Sequence, residues 1–447
     1  MSSVNRQVID LFSGMGGMSL GFSWAGFDIL YALDFEPQAI DIHKLNHPSA
    51  LHDCLDVHEV RPDRVRERLK IGKGDLYAVL GGPPCQGFST YGQRDPEDER
   101  NFLFERFAAF VDEFRPRFLV MENVIGIMSM EGGWFFGRVV KRFEELGYTC
   151  KVMVLNALNF GVPQLRRRVF IVGSRDGERV PFPTPRYRSA RRPADAGQFS
   201  LFEDMPVAYT QEACEALCQR PSLQPFRTVR DAISDLPEEV FPPSRNNEAM
   251  AYPESGAVTE YEALMRKGSD RLWNHSAKRH LVRRLIRTAV ITPGEYGKNG
   301  HKKVEENGVP DEVRELVAVG KLSEAMFHGA RNVDKKAEGE LLKKLRAGDL
   351  SGEDVEEFLS ARGFANKYRR LHWDEPSHTL VAHMARDCSD FIHPEWNRPV
   401  SVREAARLQS FPDSFKLAGS QFRQLRFIGN AVPPMLANAV AGVLATL

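Results

Sequence analysis

At 447 residues, 42 % apolar and 27 % charged, the chain has the make-up of a soluble globular protein with room for two or more domains. No apolar run approaches the ~18–20 residues of a membrane helix, and the first residues lack a signal peptide's apolar core. The six cysteines, at 54, 85, 150, 214, 218 and 388, are scattered as in a reducing cytoplasm rather than paired as a disulfide framework.

The 60 basic residues balance the 60 acidic ones, so net charge neither demands nor excludes a nucleic-acid partner. Cys214 and Cys218 stand at helical spacing without a second Cys/His pair, so no metal site is expected.

The first part alternates strand-like and helix-like segments, the pattern of a mostly parallel α/β sheet. Gln7–Phe12 reads as a strand, followed by the glycine loop Ser13-Gly14-Met15-Gly16-Gly17 and a helix that stops at Gly26. Asp28–Leu33 is the next strand, ending at Asp34, and Pro37 opens a helix. Leu76–Leu80 is an apolar strand leading into Gly81-Gly82-Pro83-Pro84-Cys85-Gln86. Phe102–Phe114 is helical, Arg117–Met121 is a strand ending at Glu122-Asn123, and Gly133–Leu146 is helical again. Tyr148–Leu155 and Val169–Gly173 are two closely spaced strands.

Residues 181–200, rich in Pro and Arg, read as a linker. Residues 228–370 are charged and lack the βα rhythm. From Arg266 to Arg287 eight Lys/Arg face one acid, Asp270, and Arg186, Arg188, Arg191 and Arg192 form a second basic cluster. Val402–Leu408 reads as an amphipathic helix. Ile428-Gly429-Asn430 reads as a glycine turn before an apolar helix that must be buried.

Four features carry chemistry. A glycine loop between strand and helix, with an acid at the end of the second strand, is the general design for an adenosine-containing cofactor, although by itself it is equally a tight turn. Asp34 is placed to hold ribose hydroxyls. Methyl transfer to an exocyclic amine uses an aromatic residue after Pro-Pro at such a strand end. Here Cys85 stands there, and a thiol serves when the acceptor is an unreactive ring carbon. Thiolate addition to position 6 of cytosine makes carbon 5 enamine-like, dividing one hard step into easier ones.

That chemistry needs an acid near ring nitrogen 3. Glu122, beside Asn123, supplies a carboxyl that burial would keep partly protonated. Gln164-x-Arg166-x-Arg168 puts an amide and two guanidiniums on one face of an extended segment, suited to phosphate, to a base or to orienting Glu122.

Together these segments resemble the ordered motifs of the cytosine-5 DNA methyltransferases. The motifs are Asp10–Gly17, Pro83–Ser89, Met121-Glu122-Asn123-Val124, Gln164-x-Arg166-x-Arg168, Arg403–Pro412 and Gly429-Asn430-Ala431-Val432-Pro433, in that order. The resemblance implies a Rossmann-like S-adenosylmethionine-dependent sheet with a smaller target-recognition domain. It implies a catalytic domain at 1–180, a recognition domain at 181–415 with its linker, and a segment at 416–447 returning to the first.

S-adenosyl-L-methionine is the implied cofactor, lined by Phe12, Gly14, Gly16, Gly17, Asp34, Phe35, Asp53, Pro84 and Asn430. Cys85 is the implied nucleophile, Glu122 the acid at ring nitrogen 3, and Arg168, Arg166 and Asn123 complete the site. Gln86, Ser89, Gln164 and Thr379 are implied to touch double-stranded DNA, with the arginines of 362–370 and 266–287 at phosphates or base edges. The target base is implied to flip out of the duplex.

A single chain without an N-terminal regulatory module resembles the bacterial type: a cytoplasmic monomer with a possible cognate restriction endonuclease acting separately. Two other readings stand beside this one. A tRNA cytosine-5 methyltransferase would carry a Cys-Phe-Thr segment that is absent here. An inactive DNA-binding paralogue would have lost Cys85 or Glu122, and both are present.

Overall fold

The apolar runs of the first part become one seven-stranded sheet, ordered β3-β2-β1-β4-β5-β7-β6. The structure, a computed structural model, describes residues 6–84, 103–188, 222–277, 369–386 and 388–447, with isolated positions at 343, 344 and 347. Strands β1 (Gln7–Leu11), β2 (Asp28–Asp34), β3 (Leu51–Cys54), β4 (Ala78–Gly81) and β5 (Phe118–Val124) are parallel. Strand β7 (Arg167–Ser174) lies antiparallel between β5 and β6 (Thr149–Asn156), so the sheet is mixed through β7 alone.

Side-chain alternation splits each central strand between two cores. Ile9, Leu11, Val79, Leu119 and Met121 face one core with helices α4 (Leu103–Phe114) and α5 (Trp134–Glu145). Val8, Ala78, Leu80, Phe118 and Val120 face the other, which holds Phe22 of α1 (Gly17–Trp24) and Leu436, Val440 and Leu444 of α10 (Pro434–Leu444). Strands covered on both faces read as continuous apolar runs, which is why they were visible in the sequence.

The C-terminal helix closes this second core. An ideal Cβ at Gly21 would stand 2.4 Å from the Pro434 carbonyl oxygen, so only glycine lets α1 and α10 approach so closely. The Tyr77 hydroxyl donates to the Leu444 carbonyl at 2.6 Å. Contrary to the expectation that no run approaches a membrane helix, Gln421–Leu444 is long and apolar enough by length and composition, but most of it is buried within the protein.

A third core joins α6 (Val229–Ile233), α7 (Glu260–Arg266), the short pair β8 (Ala249–Met250) and β9 (Leu272–Trp273), residues 371–400, α8 (Val402–Leu408) and α9 (Gln421–Asn430). It also takes in Met15 from the glycine loop and Ala39 and Ile42 of α2 (Pro37–Asn46).

Two expectations are corrected here. Helix α8 is buried all round, with Arg403, Glu404 and Arg407 inside. Their charges are matched: Arg407 grips Asp413 at 2.9 and 2.6 Å and also reaches Asp235, while Arg398 binds Glu404 through two 2.8 Å bonds. Ile428-Gly429-Asn430 is the last turn of α9, not a glycine turn. Gly429 is needed for closeness, since an ideal Cβ there would stand 2.3 Å from the Val381 carbonyl carbon.

Candidate active site

The parallel strands bring the functional loops to one edge of the sheet, beyond their carboxyl ends, where ligands bind in such folds. The glycine loop leaves β1, Asp34 closes β2, the Pro-Pro turn leaves β4, and Glu122-Asn123 lie near the end of β5. Strand β7 runs the other way, so Arg168, near its start, arrives at the same edge, paired with Val124.

The side expected to hold the cofactor is built around Asp34. One oxygen accepts the Gly14 N–H at 2.8 Å and the other the Glu36 N–H at 2.9 Å, so one carboxylate fixes both the glycine loop and the turn into α2. Burial pushes this carboxyl up, and those two donors and Arg426 pull it back. Phe12 holds a φ of 58°, a costly left-handed geometry for a bulky residue and one that clusters at functional sites. An ideal Cβ at Gly14 meets nothing within 4 Å, so the loop backbone borders open space.

Gly16 and Gly17 serve packing. A Cβ on Gly16 would stand 3.0 Å from the His43 ring, and one on Gly17 would stand 2.3 Å from the Val432 carbonyl oxygen. Phe35 presents its ring to solvent, 61 % exposed, and Asn430 is exposed at the end of α9. Beneath the loop runs a buried chain that the sequence reading missed. The Ser19 hydroxyl donates to Asp10 at 2.6 Å and lies 3.0 Å from His43 Nε2, whose Nδ1 is 2.9 Å from His52 Nε2.

Asp53, expected at an adenine amine, is held by its own neighbours. Arg68 holds it at 2.7 and 3.1 Å and the Tyr31 hydroxyl at 2.9 Å. Burial raises this carboxyl, but Arg68 and Tyr31 outweigh it and keep it below its usual range. Asp56, just beyond β3, is exposed on the same edge, because the Leu55 N–H bonds the Asp34 carbonyl at 3.2 Å. Asp53 and Asp56 are three residues apart, and spacing alone does not choose between them.

On the catalytic side, Glu122 and Arg168 form a buried pair, Nε to Oε1 2.9 Å, with side-chain exposures of 11 and 12 %. Burial raises the Glu122 carboxyl above its usual range, and Arg168 and then Arg166 oppose that rise. An ideal Cβ at Gly82 would stand 3.3 Å from Glu122 Oε2, which puts the carboxyl against the start of the Pro-Pro turn. Asn123 Nδ2 donates to the Pro83 carbonyl at 2.9 Å, anchoring the turn to β5. Pro84 is the last described residue of that loop; Cys85, Gln86 and Ser89 lie outside the described residues.

Arg166 does not touch Glu122 directly. It donates to the Leu380 carbonyl at 2.6 Å and to those of Gly429 and Ala431 at 3.0 Å each. Gln164, expected at DNA, is fully buried. Its Nε2 donates to the Leu408 carbonyl at 3.1 Å and to Gln409 Oε1 at 2.5 Å, and its Oε1 accepts the Leu380 N–H at 2.9 Å. The Thr379 hydroxyl donates to the Leu165 carbonyl at 2.6 Å. Residues 163–166 and 377–380 are therefore joined by a parallel bridge at Gln164 and Ser377 and by these side-chain bonds, which tie the segment around Thr379 to this edge of the sheet.

Several expected DNA arginines also point inward. Arg370 binds the His393 carbonyl at 2.8 Å, and Arg266 binds Asp235 at 2.6 Å. Lys267 and Arg271 are exposed, while 278–287 and Arg362 lie outside the described residues.

A family model described as C-5 cytosine-specific DNA methylase matches residues 6–446. The type II methyltransferase M.AgeI of Thalassovita gelatinovora is 48 % identical over 437 residues, covering 97 % of this chain and 98 % of that one. The type II methyltransferase M.DdeI of Desulfomicrobium norvegicum is 32 % identical over 448 residues, covering 97 % and 87 %. A solved structure from an E. coli prophage, described as a DNA modification methyltransferase, matches with a TM-score of 0.63 over 99 % of both chains. At 22 % identity, that likeness speaks to the fold alone.

Proposed function

The chain belongs to the C-5 cytosine-specific DNA methylase family and is a DNA (cytosine-5-)-methyltransferase of the type II restriction-modification kind, and from that premise we propose how its residues do the work. The substrate is a cytosine flipped out of double-stranded DNA, and the cofactor is S-adenosyl-L-methionine. The observation that carries the reading is the buried Glu122–Arg168 pair, set against Gly82 at the root of the Cys85 loop.

The Cys85 thiolate adds to carbon 6 of the base. The displaced electron pair moves through the ring toward carbon 5, which becomes nucleophilic. Glu122, kept partly protonated by burial, donates at ring nitrogen 3. Arg168 orients that carboxyl through its Nε, and Asn123 holds the Pro83 carbonyl and with it the loop. Loss of the carbon 5 proton after transfer lets the thiolate leave and restores the ring.

When bound, S-adenosylmethionine supplies an electrophilic methyl group. Asp34 would take the ribose end, Phe35 the adenine face, and the backbone at Phe12 and Gly14 the rest, with Pro84 and Asn430 as walls. Asp53 or Asp56 would meet the adenine amine: both Asp53 oxygens already accept from Arg68 or Tyr31, whereas exposed Asp56 accepts the His58 N–H at 2.9 Å through Oδ1. Thr379, beside Leu165, stands ready for the extruded nucleotide's backbone. We infer a monomer acting in the cytoplasm, with a cognate restriction endonuclease as a separate protein.

The test is covalent capture. A duplex in which fluorine replaces hydrogen at carbon 5 of the target cytosine blocks the last elimination. With S-adenosylmethionine it should give a denaturation-resistant complex with the wild-type chain and none with Cys85→Ala. A complex of equal yield with the variant would remove Cys85 as the nucleophile.

A further inference from the structure

Helix α9 reaches the cofactor turn from the third core. Glu36 directly follows Phe35, and its carboxylate meets two guanidiniums one helical turn apart. Arg423 Nη1 bonds Oε1, and Arg426 Nη1 stands 3.2 Å from Oε2. The Glu36 side chain is 13 % exposed, so water screens this pair less than an ordinary surface bridge. Asp34 fixes the same turn from the other side through the Glu36 N–H, and Arg426 also acts on Asp34.

The join between α2 and the chain leading into α9 is extended. Asn46 exchanges two 2.9 Å hydrogen bonds with the Lys416 backbone. Gly419 passes so close that an ideal Cβ would stand 3.2 Å from the Gln38 amide carbon. At its far end α9 runs into Gly429 and Asn430. There Gly429 lies against Val381 and Ala382, just past Thr379, and its carbonyl accepts from Arg166. One helix therefore touches the cofactor turn at one end and the recognition segment at the other.

We propose that Arg423 and Arg426 are positioning residues for the cofactor: through Glu36 they hold the Asp34–Phe35 turn in its binding geometry and tie that geometry to the segment beside Thr379. The proposal rests on the reading of this turn as the S-adenosylmethionine site. Two consequences follow. Loosening the clamp weakens cofactor binding in ground state and transition state alike, so KM rises while kcat holds. DNA seated on the recognition segment raises cofactor affinity, and that coupling passes through Glu36.

The experiment uses the full chain with S-adenosylhomocysteine as the probe in titration calorimetry, with and without duplex DNA carrying the target site, beside steady-state kinetics in S-adenosylmethionine. Glu36→Gln and Arg426→Gln should each raise the cofactor KM and the probe's Kd about tenfold, keep kcat within about twofold, and shrink the gain from DNA. Arg426→Lys, which keeps a charge, should recover most of the affinity. An unchanged KM in both single variants, or a fall in kcat at constant KM, overturns the proposal.

Should Glu36→Gln fail to fold, Arg423→Gln combined with Arg426→Gln alters only side chains 37 and 34 % exposed and gives the same readout. Phe35→Ala separates the two layers of argument. If it leaves the probe's affinity unchanged, the cofactor site itself is misplaced. If it weakens the probe while the clamp variants do not, the clamp alone is wrong.

Discussion

Asp10→Asn should stabilise the protein at alkaline pH and do almost nothing in acid. Asp10 sits under the glycine loop, 1 % exposed, and accepts the Ser19 hydroxyl at 2.6 Å. Burial pushes its carboxyl from the usual 3.8 up to about 7; the Ser19 bond opposes this rise and Asp34 adds to it. His43, behind Ser19, is driven well below its usual range by burial and by His47 and His52, so it stays neutral and offers no compensating charge.

The sign follows from proton linkage. The folded carboxyl keeps its proton up to about pH 7, whereas the unfolded one loses it near 3.8. Between those values the folded state binds more protons, so the stability this group contributes is present in acid and lost as pH rises. At 1.36 kcal/mol per tenfold change, the loss is about 3 kcal/mol between about pH 5 and about pH 8. Asparagine is neutral throughout and escapes it. Urea unfolding of wild type and variant at both pH values measures the effect. The gap should widen in the variant's favour by about 3 kcal/mol toward alkali, and a gap independent of pH would refute the argument.

The other expectations concern the site and the way the helices meet. Glu122→Gln should slow methyl transfer about 10²–10⁴-fold in single-turnover assays. In the wild type kcat should fall as pH rises through the raised Glu122 pKa, above the usual 4.5, and the variant should lack that limb. Gly429→Ala should cost about 3 kcal/mol by thermal unfolding, since its Cβ would stand 2.3 Å from the Val381 backbone, and an unchanged melting temperature would contradict the close approach. DNA affinity should fall linearly on a log–log plot against salt as phosphate contacts release counterions. A flat response would argue against a basic DNA surface.

Legibility followed the reach of the signal. Strands β1, β2, β4 and β5 were visible because burial on both faces leaves continuous apolar runs, and Glu122 was visible as an acid at the end of one. Strand β3 was not: Leu51-His52-Asp53-Cys54 is four residues without an apolar run. The partners of Asp53 were hidden for a related reason, since Arg68 lies 15 residues away.

Helix α8 looked amphipathic because its charges are matched by residues the local pattern does not contain, such as Asp235, 172 positions from Arg407. Gly429 looked like a turn because a glycine required by tertiary closeness carries the same letter as one required by a bend. Gln164 was recognised as part of a site, but only the fold shows that its amide faces Leu380, Leu408 and Gln409.

The central claim is that this chain methylates carbon 5 of cytosine within a defined DNA sequence through Cys85. The most direct measurement is bisulfite sequencing of plasmid from cells that lack cytosine methylases and express the wild-type chain or Cys85→Ala. Protected cytosines are expected at one short recurring sequence with the wild type and none with the variant. Fully converted plasmid from well-folded wild-type protein, or protection that survives Cys85→Ala, would contradict it.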